Sequence, residues 1–505
     1  NTQESLFKKS AEGVSGHGCS YMPRVSQAKG WRNKEMFAQI DKIITAIDNA
    51  VWGLPLICLI MATGIFLTAR LGLVQIRHLG KAFKFMFKDE EDGSGEVTSF
   101  GALCTALSAT IGTGNITGVA TAIALGGPGA LFWMVIAAFF GMATKYAEGL
   151  LAIKYRTIDE EGHVLGGPFY YIENGMGKKW TWLAKIFAFF GAGVGLFGIG
   201  TFTQVNSIAS AVKNFFDPDM AHTVSLLGGN YSWATVIAGL FLTVCVGLVV
   251  LGGIQRIAKV SEIIVPFMAV LYVGLAVIII ITNITAVPAA LASIVKSAFT
   301  GSALAGGAVG SMFVAMQKGV ARGIFSNESG LGSAPIAAAA ARTKEPVRQG
   351  LVSMTGTFID TIVICTMTGL SIVIAGSWLN PELEGVAITM DAFQKGLPFP
   401  SFVATFSLML CLVFFAFTTI LGWNYYGERC VEYLFNRNKG VVMGYRILYI
   451  LAVFIGPYMT VKAVWNIADI FNALMAFPNL IALLALNGVI VKETRDFHAK
   501  HNGSY

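Results

Sequence analysis

Charge is scarce in this chain. Of 505 residues, 13% are Asp, Glu, Lys or Arg and 55% are hydrophobic, with mean hydropathy +0.65. That excludes a soluble protein of this length and leaves a polytopic membrane protein. Histidine is scarce too. The six present (His17, His78, His163, His222, His498, His501) all fall outside the apolar stretches. With no HExxH, no paired carboxylates and no Ser/His pair at membrane depth, an intramembrane enzyme has nothing to work with. The 7 cysteines are scattered without CxxC spacing, which argues against a metal site or a disulfide framework. Prolines number 14 against 57 glycines, and the glycines lie inside apolar segments, as in closely packed membrane helices. The net charge of +7 comes from Lys and Arg in short loops, where it sets orientation; it is no sign of nucleic-acid binding.

Against this background one stretch is conspicuous. Residues 108–118 read Ser-Ala-Thr-Ile-Gly-Thr-Gly-Asn-Ile-Thr-Gly in the middle of an apolar segment. Glycine costs roughly 1 kcal/mol against alanine inside a helix, and backbone groups freed in hydrocarbon must find partners. The run therefore belongs against protein or a cavity. Two readings stay open on the residues alone. One is a small-residue packing face. The other is a helix that opens at Gly112 and Gly114, so that the carbonyls of Ser108, Ala109 and Ile111 face a hard monovalent cation and the freed N–H groups face an anion. Residues 323–333, Gly-Ile-Phe-Ser-Asn-Glu-Ser-Gly-Leu-Gly-Ser, interrupt a later apolar stretch in the same way.

Apolar stretches are predicted at 43–71, 99–126, 128–155, 182–212, 233–251, 257–284, 312–341, 347–375, 402–426, 442–462 and 467–491. The fold class is thus all-α, with about eleven transmembrane helices. The first span, with the basic amphipathic stretch Arg77, His78, Lys81, Lys84 and Lys88 after it, stands apart. The rest divide five and five, each half opening on an interrupted segment, and an odd count turns the second half upside down: the inverted repeat of a secondary transporter. The chain then divides into a polar segment (1–42), part of it expected to be disordered, an extra helix and basic loop (43–97), a first repeat (98–285), a second repeat with its leading loop (286–492), and a tail (493–505). Basic residues in short loops put the C-terminal tail in the cytoplasm. An odd span count then puts the N-terminus outside, against its own basic charge. Either that segment is translocated regardless, or the count is off by one.

Four local sequences resemble the alanine or glycine:cation symporter family. They are residues 108–118, Gly-Gly-Pro-Phe-Tyr-Tyr-Ile (166–172), Arg-Gly-Ile-Phe-Ser-Asn-Glu-Ser-Gly-Leu-Gly-Ser-Ala-Pro (322–335) and Leu-Gly-Trp-Asn-Tyr-Tyr-Gly-Glu (421–428). The resemblance implies the leucine-transporter fold in a bacterial-type inner membrane. It implies sodium as coupling ion with no further cofactor, and a small neutral amino acid, alanine or glycine, as substrate. By the same resemblance, sodium is expected at Ser108, Ile111, Thr418 and Thr419. Substrate is expected at Thr110, Gly112, Gly114, Asn115, Gln204, Phe325, Thr419 and Trp423.

The residues themselves add weight at a few of these positions. Trp423 lies one turn from Thr419 on the same helix face and near the middle of its apolar run, which favours a pocket wall over an interfacial anchor. Asp360, inside a span, is expensive and therefore a functional suspect. It is either a proton carrier or a fixed partner, and the second reading is preferred because the two breaks already supply what sodium needs. Glu148, Glu262 and Asp469 read as helix-end or gate charges. A proton-coupled or sodium-coupled carrier of another small zwitterion, and a passive channel, remain open as alternatives.

Overall fold

The computed structural model describes residues 43–44, 46–47 and 51–501, apart from 89, 91–92, 161, 199, 227–228, 301–307 and 459–460. The expectation for residues 1–42 falls outside the described residues. Residues 43, 44 and 46 are helical. The described residues from Ile47 onward pack as one unit.

Helix prevails in that unit because long uncharged segments in hydrocarbon must satisfy their backbone groups internally. In chain order the helices are α1 (Leu54–Arg70), α2 (Ser99–Thr110), α3 (Val119–Gly126), α4 (Gly129–Lys154), α5 (Thr181–Phe197), α6 (Phe202–Phe216), α7 (Trp233–Val250), α8 (Gly253–Thr282) and α9 (Val287–Thr300). They continue with α10 (Ala308–Asn327), α11 (Ala334–Ala338), α12 (Pro346–Thr357), α13 (Thr366–Ala375), α14 (Val386–Gly396), α15 (Ser401–Leu434), α16 (Lys439–Ile455), α17 (Val461–Ala485) and α18 (Asn487–His501). Two short antiparallel hairpins, Thr157–Ile158 with Val164–Leu165 and Thr223–Leu226 with Gly229–Ser232, connect helices. Among the described residues 7 helical segments are long and apolar enough to cross a membrane, or 8 if a pair bent by 57° is one span. The stretch 99–126 is not among them, because its break splits it into two short apolar helices.

Three expectations need adjustment. The stretch 182–212 is two helices, parted at Gly198 (φ −112°, ψ −141°) and Thr201 (φ −132°, ψ −81°). The cause is packing: the ring of Trp423 lies against Gly200, and the Tyr449 hydroxyl donates to the Gly200 carbonyl at 2.8 Å. The leading loop of the second repeat contains α9, which is docked on α4 through Trp133 Nε1 donating to the Ala298 carbonyl at 3.2 Å. Between α12 and α13 the chain runs as a wide turn, Phe358–Cys365, which keeps the helix path but shifts its faces.

The long helix α15 is buried along one side from Ala404 to Ala416 and all round from Thr418 to Glu428, and it packs on α2, α5, α6 and α8. Its approach to α2 is close because position 422 is glycine. A Cβ there would stand 2.7 Å from the Ala109 backbone nitrogen. The segments before α2 and after α11 are also joined. Val97 pairs with Ala341, and the Arg156 guanidinium donates to the carbonyls of Ser94 (2.6 Å), Ala339 (2.5 Å), Ala341 (2.7 Å) and Thr343 (2.5 Å).

Candidate functional site

At the first break α2 ends on Thr110, Ile111 turns to an extended conformation (φ −76°, ψ 94°), and a wide turn, Gly114–Gly118, restarts the helix. The freed groups are satisfied by three side chains. Asn115 Oδ1 accepts from the Gly112 N–H at 2.8 Å, and Gln204 Oε1 from the Thr113 N–H at 3.4 Å. The Thr419 hydroxyl donates toward the Ile111 carbonyl at 3.3 Å. The glycines are there for room. Neither Gly112 nor Gly114 has positive φ. A Cβ on Gly112 would come 2.5 Å from Thr419 Oγ1, and one on Gly114 would come 3.3 Å from Ser326 Cα.

The second break begins at Asn327, the last residue of α10. Here the chain enters the left-handed region at Glu328 (φ 56°), Gly330 (φ 89°) and Gly332 (φ 80°). A non-glycine residue at positive φ costs roughly 1–2 kcal/mol, and Glu328 is held there by its carboxylate, which accepts from Trp423 Nε1 at 3.0 Å and from the Ser333 hydroxyl. The Gly330 N–H donates to Glu148 Oε1 at 3.1 Å. Asn479 Nδ2 donates both to that carboxylate (2.7 Å) and to the Gly330 carbonyl (2.9 Å).

Asp360, on the wide turn, ties the two breaks together. It accepts from Asn115 Nδ2 at 2.7 Å, from the Ser326 hydroxyl at 2.9 Å and from the Thr361 hydroxyl at 2.7 Å. These donors are neutral, one from each break and one local, and they suit a fixed partner more than a mobile proton carrier. Gly114, Thr117, Gly118, Asn206, Arg322 and Phe325 line a cavity of about 300 Å³ between the first break and the last turns of α10. A larger cavity, about 1260 Å³, lies at the other ends of the helices, where Arg429 pairs with Glu96 (3.2 Å) and Arg446 with Glu428 (2.6 Å).

The structure therefore brings Ile111, Gly112, Gln204 and Thr419 together, and likewise Gly114, Asn115 and Phe325 through Ser326 and Asp360. The side chains of other expected residues have partners of their own, which for Ser108 leaves the expectation about its main-chain carbonyl untouched. Ser108 donates back to the Thr105 carbonyl at 2.7 Å and its side chain lies at the Gly422 crossing. The Thr110 hydroxyl donates to the Ala106 and Leu107 carbonyls at 3.3 Å and lines a separate small cavity. Thr418, one helical step from Thr419, points its hydroxyl at the Phe414 carbonyl (3.0 Å) and Met268 Sδ (3.5 Å). Trp423 is fully buried, with its indole committed to Glu328. Glu148 is no helix-end charge; it sits inside α4 and holds the second break. Asn479 and Lys145, also at this centre, escaped the sequence reading. An asparagine is not alarming within an apolar run, but a lysine in the α4 segment was a signal of the same kind as Asp360.

Comparison with known proteins identifies the family and the fold. A profile of the sodium:alanine symporter family matches residues 37–504. An uncharacterized transporter of Haemophilus influenzae is 55% identical over 91% of this chain and 96% of its own length. The sodium/alanine symporter AgcS of Methanococcus maripaludis is 48% identical over 90% of this chain and 97% of its own. A probable sodium/glutamine symporter, GlnT of Bacillus subtilis, is 38% identical over 91% of each chain. The crystal structure of MhsT in complex with L-phenylalanine has the same fold, with TM-score 0.55 at 14% identity over 78% of this chain and 89% of that one. The chain belongs to the sodium:alanine symporter family and is a multi-pass membrane transporter, not an enzyme, that couples sodium to amino-acid symport.

Proposed function

We propose that the protein is a symporter of small neutral amino acids, alanine or glycine foremost, working by alternating access with the first break as its sodium site. The observation that carries this is the meeting of the Thr419 hydroxyl with the Ile111 carbonyl beside Gly112. Thr419 also has the Phe415 carbonyl at 2.9 Å as acceptor. By donating there alone it leaves its own lone pairs and the Ile111 carbonyl for an ion, and the Ser108 carbonyl one turn earlier completes the set. All are neutral oxygens, which suits a cation that must be released. Thr418 joins only if its side chain rotates away from Met268.

The substrate carboxylate would take the Gly112 and Thr113 N–H groups, now held by Asn115 and Gln204, and the second break would receive the amino group. Phe325 and the immobilised Trp423 limit the room left for a side chain. Because sodium fixes the shape of the break that presents those N–H groups, each ligand raises the affinity of the other by the same factor. The basic loops put the C-terminal tail in the cytoplasm.

The test is uptake into proteoliposomes, with and without a sodium gradient, over alanine, glycine, serine and glutamine. Sodium-driven uptake led by alanine or glycine is expected; preference for glutamine would move the reading to larger zwitterions. Thr419→Val should raise the sodium needed for half-maximal uptake by about tenfold or more, while Thr418→Val stays within about threefold. Equal effects of the two would place sodium elsewhere.

A further inference from the structure

One buried charge at this centre has been given no role in the site. Lys145 is 2% exposed, and its Nζ has no hydrogen-bond partner among the described residues. It lines a cavity of about 20 Å³ together with Thr110, Asn327, Gln349 and Ser353. That is room for about one water, and Gln349 Oε1 on the same wall also has no partner among the described residues. Apart from Gly356 of α12, the remaining wall is Ala102, Leu103, Ala106 and Leu107 of α2 and Ala334 and Ala338 of α11. These are the half-helix that leads into the first break and the half-helix that leaves the second. The cavity thus exists in this form only while those two halves are packed together. Glu148, Glu328 and Asp360 are all within electrostatic reach of the ammonium.

We propose that Lys145 is a built-in cation that opposes sodium binding and thereby speeds release. With α2 docked, its ammonium has room for at most one water and no acceptor in direct hydrogen-bond contact among the described residues, Gln349 Oε1 on the same wall being unpartnered there too; with α2 displaced, it gains hydration. A poorly solvated buried charge favours the arrangement that exposes it, so Lys145 weights the protein toward undocked α2. Sodium needs the docked arrangement, because Ile111 must lie against Thr419, and its apparent affinity falls by the fraction of molecules so arranged. The positive charge also offsets part of the attraction that the three buried acids exert on a cation. Both effects act in the same direction. Lys145 is on this account a positioning residue acting through α2, and the inference rests on the first break being the sodium site.

The experiment compares wild type with Lys145→Met, Lys145→Gln and Lys145→Arg, measuring sodium-induced thermal stabilisation of the purified protein and sodium-driven alanine uptake. Both neutral variants should need about tenfold less sodium for half-maximal effect, and their maximal uptake rate should fall because α2 releases more slowly. Lys145→Arg should keep the wild-type requirement. A merely structural lysine would lower stability without that split between sodium requirement and maximal rate. Gln349→Met, which removes the acceptor on the cavity wall, should shift the requirement the other way, several-fold upward, and it decides the matter if the neutral variants fail to accumulate. An unchanged or raised sodium requirement in folded neutral variants, or an unchanged one in Gln349→Met, overturns the proposal. Wild-type uptake indifferent to sodium overturns the underlying reading as well, and so is told apart from the first failure.

Discussion

Between Ile111 and Val119 the first break never enters the left-handed region, whereas the second enters it at Glu328, Gly330 and Gly332. The first is held by neutral side chains, Asn115, Gln204 and Thr419, each of which can let go of its backbone group without leaving a buried charge behind. The second is held by two carboxylates, Glu148 and Glu328, locked in turn by Asn479, Trp423 and Ser333. The contrast separates two uses of glycine. In the first break glycine makes space for a partner; in the second it makes a backbone conformation accessible. Under the proposed function it also separates two mechanical roles: an adaptable half that remodels around ligands, and a braced half against which it moves.

Three measurements would break or sharpen this contrast, and the first should give the largest effect. Gly112→Ala pushes a methyl group to within 2.5 Å of Thr419 Oγ1, while its backbone conformation suits alanine. Sodium-dependent uptake should fall below detection, and the ligand-free protein should lose about 1–3 kcal/mol at most, the cost of overpacking one buried methyl group. Gly118→Ala, where a Cβ would meet nothing within 4 Å, should transport within about twofold of wild type. Lowered stability with retained sodium response in Gly112→Ala would reassign the first break to helix packing.

An intermediate effect, of opposite character, is expected in the second break. Gly330→Ala must adopt φ 89° with its new carbon 3.2 Å from Leu480 Cδ2, and should lose about 1–2 kcal/mol of stability. Glu148→Ala leaves the Gly330 N–H without its acceptor and Asn479 Nδ2 with the Gly330 carbonyl alone, at about 1–3 kcal/mol for the unpaired buried group. Both variants should melt earlier in detergent; folded Gly330→Ala should keep a near-normal sodium requirement, and folded Glu148→Ala, which loses one of the three acids, should raise it by no more than several-fold. A sodium requirement shifted by more than about tenfold without early melting would erase the distinction between a braced and an adaptable half.

The smallest effect lies outside the site, at the contact of the His78 and His498 rings, stacked at 4.3 Å. Burial, then the neighbouring charges of His498, Lys81 and Arg77, hold His78 down at about 4 against its ordinary 6.5. A depressed histidine favours the folded state above the ordinary value. That contribution declines as pH falls from 6.5 toward 4, because the unfolded chain takes up the proton first. Limited proteolysis of the C-terminal helix should quicken modestly across that window, and His78→Phe should flatten the response. A rate rising with pH instead would refute the sign.

The membrane class, the two interruptions and the family resemblance were readable from the sequence because each rests on local order: apolar run length, glycine and polar residues where a spanning helix has no use for them, and motif strings. Which side of each residue faces the site was not. Thr418 and Thr419 are chemically alike and adjacent, and only the rotation of α15 against α2 sends one to Ile111 and the other to Met268. Trp423 looked like a pocket wall by its spacing, yet its indole partner, Glu328, is 95 residues away in the chain. The absence of positive φ at Gly112, the anchoring of Gly330 by Glu148, and the position of Lys145 between two half-helices are likewise long-range outcomes. A sequence sets what each residue can do. Packing of distant segments decides which of those capacities meet, because contact, desolvation and charge pairing depend on neighbours that chain order does not name.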